Sequence, residues 1–241
     1  MGELCIDDFK HSKGSEIDMN DLTLVIPAKN EAESLPKVLD ELQKFNYNIS
    51  VVLHKTDHQT IKSIENYNVE LVFQENYGYG DALIVGMNNC KSKYFCIFNA
   101  DGSFNPNELE MMIKKVEHEK LDFVFASRYQ KNSGSDDDTF VTLVGNYFFT
   151  LLGKVFFRLN ISDILYTYVL GKTESVKDLN LNRKDFTLCV ELPIKASRKG
   201  MKIGSINSFE RARIAGKKKV NALRDGSLIL FYMIKIFFKK N

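Results

Sequence analysis

A three-layer α/β/α sandwich around a mainly parallel sheet is the fold this chain predicts, and three features predict it. Short apolar runs of strand length recur at residues 22–26, 49–53, 69–73, 94–98 and 122–127. Stretches with helical spacing of apolar residues separate them, and strands alternating with helices imply parallel crossover units. The runs end in polar loops marked by Gly and Pro, where the strands of an open sheet collect ligands. With 241 residues, 44% of them hydrophobic and 27% charged, the chain can bury one sizeable α/β core and falls outside the disordered class.

Taken in order, residues 1–20 are mixed polar and read as a loose leader. They are too acidic and too weakly apolar for a secretory signal, so the expected location is cytoplasmic. Residues 21–210 read as the folded body, and 211–241 as a basic loop followed by an apolar and basic helix. The first strand closes at Pro27, and the polar loop Pro27-Ala28-Lys29-Asn30-Glu31 leads into an amphipathic helix with Leu35, Val38, Leu39 and Leu42 on one face. The second strand hands over to His54 and a loop reaching residue 60; a helix over 60–66 and a third strand follow. Gly78 and Gly80 then precede a helix capped near Asp81. A Gly-x-Gly at a helix start can cradle phosphate, but its spacing and position are not those of a dinucleotide fold.

Residues 95–106, Phe-Cys-Ile-Phe-Asn-Ala-Asp-Gly-Ser-Phe-Asn-Pro, organise the rest. A buried-strand run stops at two short oxygen-bearing side chains, Asn99 and Asp101, and then at Gly102 and Pro106. A carboxylate at the end of a strand can hold a hard divalent cation against phosphate oxygens; the same residues also make an ordinary turn. A helix over 106–120 and the fifth strand lead to Arg128, after which the composition of 133–138 predicts a mobile loop. Residues 139–159 are helical by pattern, rich in Phe and Leu and without charge before Lys154; they suit a core helix or one lying on lipid.

Loop and short strand over 163–171, a helix over 191–199 with Glu191 near its start, a strand over 201–205 and a basic loop over 210–219 complete the body. The segment 228–238, with Lys235, Lys239 and Lys240 beside it, suits a membrane surface or a helix packed on the sheet or on another subunit. Neither the charge-free run 139–153 nor 228–238 has the roughly 20 residues needed to cross a bilayer, so neither is expected to span one. Four cysteines without metal-ligand spacing fit reduced thiols. The basic tail lacks interleaved stacking aromatics, which excludes nucleic acid as the expected partner.

In their order these motifs resemble the inverting GT-A glycosyltransferases, and within them the dolichol- or polyprenyl-phosphate mannosyl- and glucosyltransferases. The resemblance runs from about Leu22 to Lys219: Pro-Ala-Lys-Asn-Glu, Gly-Tyr-Gly-Asp-Ala-Leu with Gly86, Asn-Ala-Asp-Gly with Pro106, Ser-Arg-Tyr, Asp163, Glu191 and Arg213-x-x-Gly216-Lys-Lys-Lys219. It implies a Rossmann-like GT-A fold, a nucleotide-sugar donor and a Mg²⁺ or Mn²⁺ ion. Pro27, Ala28, Asn30 and Glu31 fall where the family's first loop holds base and ribose, and Gly80 belongs to the same donor-binding set. Asn99, Ala100 and Asp101 take the place of its Asp-x-Asp signature, with Asp101 and Asn99 as metal ligands.

Arg128, Arg213 and Lys219 would face a phosphate group, and Asp163 and Glu191 are the carboxylates available for acid–base work. The implied activity is transfer of a sugar, with inversion, to a polyprenyl phosphate, by a cytoplasmic protein peripheral on the inner face of the membrane. A soluble saccharide or hydroxyl acceptor, or a non-catalytic nucleotide-binding relative, are the alternatives. Two substitutions mark this chain. His54 stands where relatives carry a base-contacting carboxylate, and Asn99 replaces the first Asp of the signature, giving an uncharged carbonyl ligand in its place.

Overall fold

The computed structural model describes residues 21–216 and 221–239. The expected leader, with Cys5, and Lys219 with its neighbours Lys217 and Lys218 lie outside the described residues, as does Lys240. Seven strands form the main sheet in the order β3-β2-β1-β4-β7-β5-β8. They are β1 (Leu22–Pro27), β2 (Asn48–His54), β3 (Glu70–Gln74), β4 (Tyr94–Ile97), β5 (Phe123–Ser127), β7 (Val169–Lys172) and β8 (Ile203–Asn207). A two-stranded ribbon pairs β6 (Gly134–Ser135) with β9 (Phe209–Glu210). All pairings are parallel except those of β7, which runs antiparallel to both β4 and β5. The sandwich is therefore mixed at one strand and parallel elsewhere, as its alternating pattern predicts.

Helices α1 (Leu35–Leu42), α2 (His58–Ser63) and α4 (Leu109–His118) are joined by α3 (Tyr79–Asn89), α6 (Thr173–Asp178) and α7 (Leu188–Arg198). Each of the two core clusters draws on the sheet. Leu35, Val38, Leu39 and Leu42 of α1 pack with Met112, Ile113 and Val116 of α4 in one; Leu83 and Met87 of α3 pack with Val190, Leu192 and Ile194 of α7 in the other. The apolar stripes of α1 and α4 explain why these segments are helices and which way they face. Two long helices, α5 (Phe140–Phe157) and α8 (Ala222–Phe238), join the α7 side through Phe149, Phe157, Ile229, Tyr232, Met233 and Ile236. Cys90, Cys96 and Cys189 are free and buried, in keeping with reduced thiols.

Three local expectations need correction. Residues 133–138 do not form a detached loop: Gly134 N–H donates to Ser208 O and Asp136 N–H to Glu210 O, and the β6–β9 ribbon ties the segment down. These partners lie more than 70 positions away in sequence, beyond any local composition signal. Helix α7 starts at Leu188, so Glu191 sits inside its first turn. Helix α6 was not expected at all; it is short and follows β7 directly.

Gly86 shows how closely α3 approaches the sheet. A Cβ there would come within 2.4 Å of Val25 Cγ1 and 2.8 Å of Val52 Cγ2. Overpacking of this kind costs about 1–3 kcal/mol, so Gly86→Ala is expected to lower the thermal midpoint by roughly 3–10 °C, measured by circular dichroism melts.

Candidate active site

In the main sheet, β1 connects by crossovers to β2 and β3 on one side, while β4 enters on its other side. The strand order thus reverses between β1 and β4, and an open α/β sheet places its ligand crevice beyond the carboxyl ends of strands at such a point. The loops after β1, β2 and β4 all meet there.

After β1, Ala28 N–H still bonds Val52 O at 2.8 Å, prolonging the β1–β2 ladder. Asn30 adopts a left-handed backbone with φ 52°, a conformation Asn tolerates better than most residues. Its N–H donates to Asp57 Oδ2 at 2.7 Å, and Glu31 N–H donates to Thr60 Oγ1 at 3.0 Å. Asp57 also caps α2 by accepting from Thr60 N–H. One side chain thereby fixes the first loop to the second. Glu31 in turn accepts from Ser34 Oγ at 2.6 Å. His54, at the end of β2, stacks on Tyr77 with ring centroids 4.3 Å apart and accepts or donates at Nδ1 to Thr56 Oγ1 at 2.7 Å. Tyr77 is 66% exposed, so the stack presents a flat aromatic surface to the solvent.

After β4, the side chain of Asp101 turns back on its own loop. Its Oδ1 accepts from Ser103 N–H at 3.0 Å and Ser103 Oγ at 2.7 Å. Its Oδ2 faces the Arg213 guanidinium at 3.3 Å. Asn99 Nδ2 donates to Ser103 Oγ at 3.2 Å, and Ala100 between them is buried. The segment 211–214 crosses this turn as a strap: Arg211 N–H donates to Ser103 O and Ile214 N–H to Asp101 O, each at 2.8 Å. Gly102 makes the crossing possible, because its φ is 82° and a Cβ would stand 2.4 Å from Ile214 Cδ1. Arg213 also donates from Nε and Nη2 to Asp137 at 3.1 and 3.0 Å. Burial works against this cation, but Asp137 and Asp101 outweigh it and raise the guanidinium above its ordinary range.

Other sequence-predicted residues are placed differently. Arg128 was expected to face a phosphate, yet it is enclosed. It donates to Asp163 from Nε at 2.7 Å and Nη2 at 3.1 Å, and to Glu210 from Nη1 at 3.0 Å, with Asp138 3.5 Å from Nη1. Burial opposes its charge, but Asp163 and Glu210 hold its protonation well above the usual range. Asp163 is fully buried; burial pushes its carboxyl up while Arg128 pulls it down. Glu191 is also fully buried, accepting from Asn182 N–H at 3.0 Å and Arg183 N–H at 2.8 Å and pairing with Lys195 at 2.8 Å. Neither carboxylate is presented as an open base. Gly80 faces protein rather than a phosphate, since a Cβ on it would meet Arg183 O at 2.2 Å and Asp185 O at 2.5 Å. The glycines there admit the 183–185 backbone.

The site thus gathers Asn30, Glu31, His54, Asn99, Asp101 and Arg213 at the crevice, beside Pro27 and Ala28. Asp57, Tyr77, Ser103 and Asp137 complete it and were not singled out from the sequence. Asp57 carried a helix-cap signal, three residues before Thr60; the others had no local one. The Asp101 carboxylate and the Asn99 carbonyl are hard oxygen donors, and the guanidinium at Oδ2 shows that a positive charge is accommodated there. Among the described residues no group of three or more His, Cys, Asp or Glu side chains could enclose a metal unaided. The donor set therefore fits a cation that completes its shell with substrate oxygens.

Comparison with known proteins places this geometry. An uncharacterised glycosyltransferase of Mycobacterium bovis is 25% identical over 208 residues, covering 86% of this chain and 93% of its own. A dolichyl-phosphate beta-glucosyltransferase of Trichomonas vaginalis is 26% identical over 209 residues, covering 77% of this chain and 64% of its own. The structure of glucosyl-3-phosphoglycerate synthase from Mycobacterium tuberculosis, in complex with Mn²⁺, uridine diphosphate and glucosyl-3-phosphoglycerate, aligns with a TM-score of 0.69 at 14% identity, covering 90% of this chain and 79% of that one. That likeness is one of fold, the Rossmann-like GT-A sandwich. The profile of glycosyl transferase family 2 matches residues 23–179, a span that takes in β1 to β7, and on that ground the chain belongs to glycosyl transferase family 2.

Proposed function

We propose that this glycosyltransferase transfers a sugar, with inversion and with a divalent cation, from a nucleoside diphosphate donor to a polyprenyl phosphate at the inner face of a membrane. The observation that carries the reading is the Asp101 carboxylate at the end of β4, beside the strand-order reversal, with one oxygen held by Ser103 and the other turned to a cationic group. Asp101 and Asn99 would hold Mg²⁺ or Mn²⁺, and Mn²⁺ accompanies uridine diphosphate in the solved relative. When bound, the cation offsets the negative charge that builds on the leaving diphosphate. Arg213, kept in place by Asp137, adds a second positive group at the same point, where a guanidinium can bind phosphate bidentately. The His54–Tyr77 stack supplies an aromatic face for the base, flanked by the Asn30–Glu31 loop.

The choice of acceptor rests on the carboxylates. A hydroxyl acceptor needs a base to take its proton, whereas a phosphate monoester is already an anion at neutral pH. Asp163 and Glu191 are both buried and bonded to protein groups, an arrangement that supports the anionic acceptor. The dolichyl-phosphate relative supports it too. A soluble acceptor is the second reading, favoured by the phosphoglycerate product in the solved relative.

Two outcomes test these assignments. Release of nucleoside diphosphate from a panel of sugar donors, with a short-chain prenyl phosphate as acceptor, is expected to need Mn²⁺ or Mg²⁺ and to stop on chelation. Asp101→Ala should cut it by about 100-fold or more, with a lowered but still cooperative melting curve because Ser103 and Arg213 lose their partner; normal turnover by that variant would remove the metal assignment. Arg128→Ala should act on stability instead, costing about 3–5 kcal/mol in urea unfolding because it strands buried carboxylates.

A further inference from the structure

Helices α5 and α8 depart from the pattern of every other surface helix described above. Where α4 turns Glu110 and Lys114 to the solvent, α5 turns Phe140, Val144, Phe148, Leu151 and Val155, an uninterrupted stripe at helical spacing. On α8 the outward stripe is Leu223, Phe231, Ile234 and Phe238. Fourteen of the twenty exposed large hydrophobic side chains among the described residues lie on these two helices, too strong a concentration for scattered surface apolarity. The helices run side by side in the same direction. Phe149 lies 3.8 Å from where a Cβ on Gly226 would be, and Phe156 and Phe237 meet with ring centroids 5.5 Å apart. The stripes therefore form one continuous face.

Contrary to the sequence expectation that no segment is long enough to span, helix α5 extends four residues beyond the charge-free run and has the length and composition of a membrane-crossing helix. It is nevertheless fastened lengthwise to the domain: Asn146 donates to Tyr129 Oη, Thr150 Oγ1 accepts from Ile164 N–H, and Ser197 Oγ donates to Phe157 O. A helix held this way can lie on a surface with its free side. Charge decides which surface. Exposed Lys154, Arg158, Lys235 and Lys239 cluster at the carboxyl-terminal ends of the pair. The one acidic residue on either helix, Asp225, is engaged in the start of α8 by Asn221 N–H at 2.7 Å. A second copy would offer these cations, on its own pair of helices, no acid other than the engaged Asp225, whereas anionic headgroups complement them.

We propose that α5 and α8 together form a docking face whose partner is a bilayer surface carrying anionic lipid. Helix α5 begins just after Asp138, the partner of Arg128, and α8 follows the strap whose Arg213 faces Asp101. Docking thus places the entrance of the crevice at the headgroup level. This last consequence rests on the lipid-phosphate acceptor reading; the docking itself does not.

The test is co-sedimentation of the full chain with phosphatidylglycerol/phosphatidylcholine vesicles and with phosphatidylcholine alone. The protein should prefer the anionic vesicles and release in high salt. The triple variant Phe148→Ser, Leu151→Ser, Phe231→Ser should lose binding about tenfold or more, with an unchanged melting curve because all three side chains are exposed. Lys154→Glu with Lys235→Glu should lose the preference for anionic lipid. Absence of vesicle binding, equal binding by the triple variant, or a dimer in sedimentation velocity that the triple variant dissolves would each overturn the proposal. Transfer to a water-soluble prenyl phosphate, assayed in the same preparations, separates the two readings. Transfer without vesicle binding ends the docking face alone, and vesicle binding without transfer ends the acceptor assignment alone.

Discussion

A guanidinium with almost no access to water, that of Arg128, ties together parts of the chain that are far apart in sequence. It stands at the end of β5 and reaches Asp163 ahead of β7, Glu210 in the β6–β9 ribbon and Asp138 just before α5. Burying one cation among three carboxylates is costly unless each is bonded, and here hydroxyls share the load: Ser135 donates to Glu210 and Tyr129 to Asp138. The cluster is still richer in negative than positive charge. That excess lies next to Arg213 and helps to raise its protonation through Glu210, so the buried centre and the strap over Asp101 are coupled electrostatically as well as through the backbone.

The strap shows how the turn after β4 is ordered by the chain itself. Its backbone bonds Asp101 O and Ser103 O, Arg211 grips Glu41 on α1 with two bonds of 2.8 and 2.9 Å, and Arg213 bridges Asp137 and Asp101. Forked guanidinium bonds of this type fix orientation as well as charge. The two oxygens of Asp101 are therefore differentiated: Oδ1 belongs to the turn, while Oδ2 faces positive charge. That division leaves one oxygen to the turn and the other to a positively charged partner.

The apolar helices extend this logic from the site to its surroundings. The inward sides of α5 and α8 complete the α7 layer of the core through Phe149, Phe157, Ile229 and Met233. The core-helix expectation for the Phe-rich segment thus describes its inner face, and the lipid-surface reading is a proposal about its outer one. A helix that is apolar all round finds water unfavourable on the side its own domain leaves uncovered, and α5 and α8 leave that side contiguous.

Periodicity and punctuation in the chain determined the alternation of strands and helices, the reach of β1, β2, β4 and β5, and the placing of Asn99 and Asp101 at a strand end. These are local properties, set by which residues fit a pleat, a helix face or a turn. Tertiary structure alone decided which charges meet. Arg128 finds Asp163 and Glu210 at separations of 35 and 82 positions, and Arg213 finds Asp137 at 76. No spacing rule announces such pairs, because their geometry follows from how the sheet orders its strands. For the same reason Glu191, Arg128 and Gly80 read as site residues in the sequence but serve the protein interior once folded: a charged or glycine residue has the same letter whether its partner is a ligand or a distant stretch of its own chain.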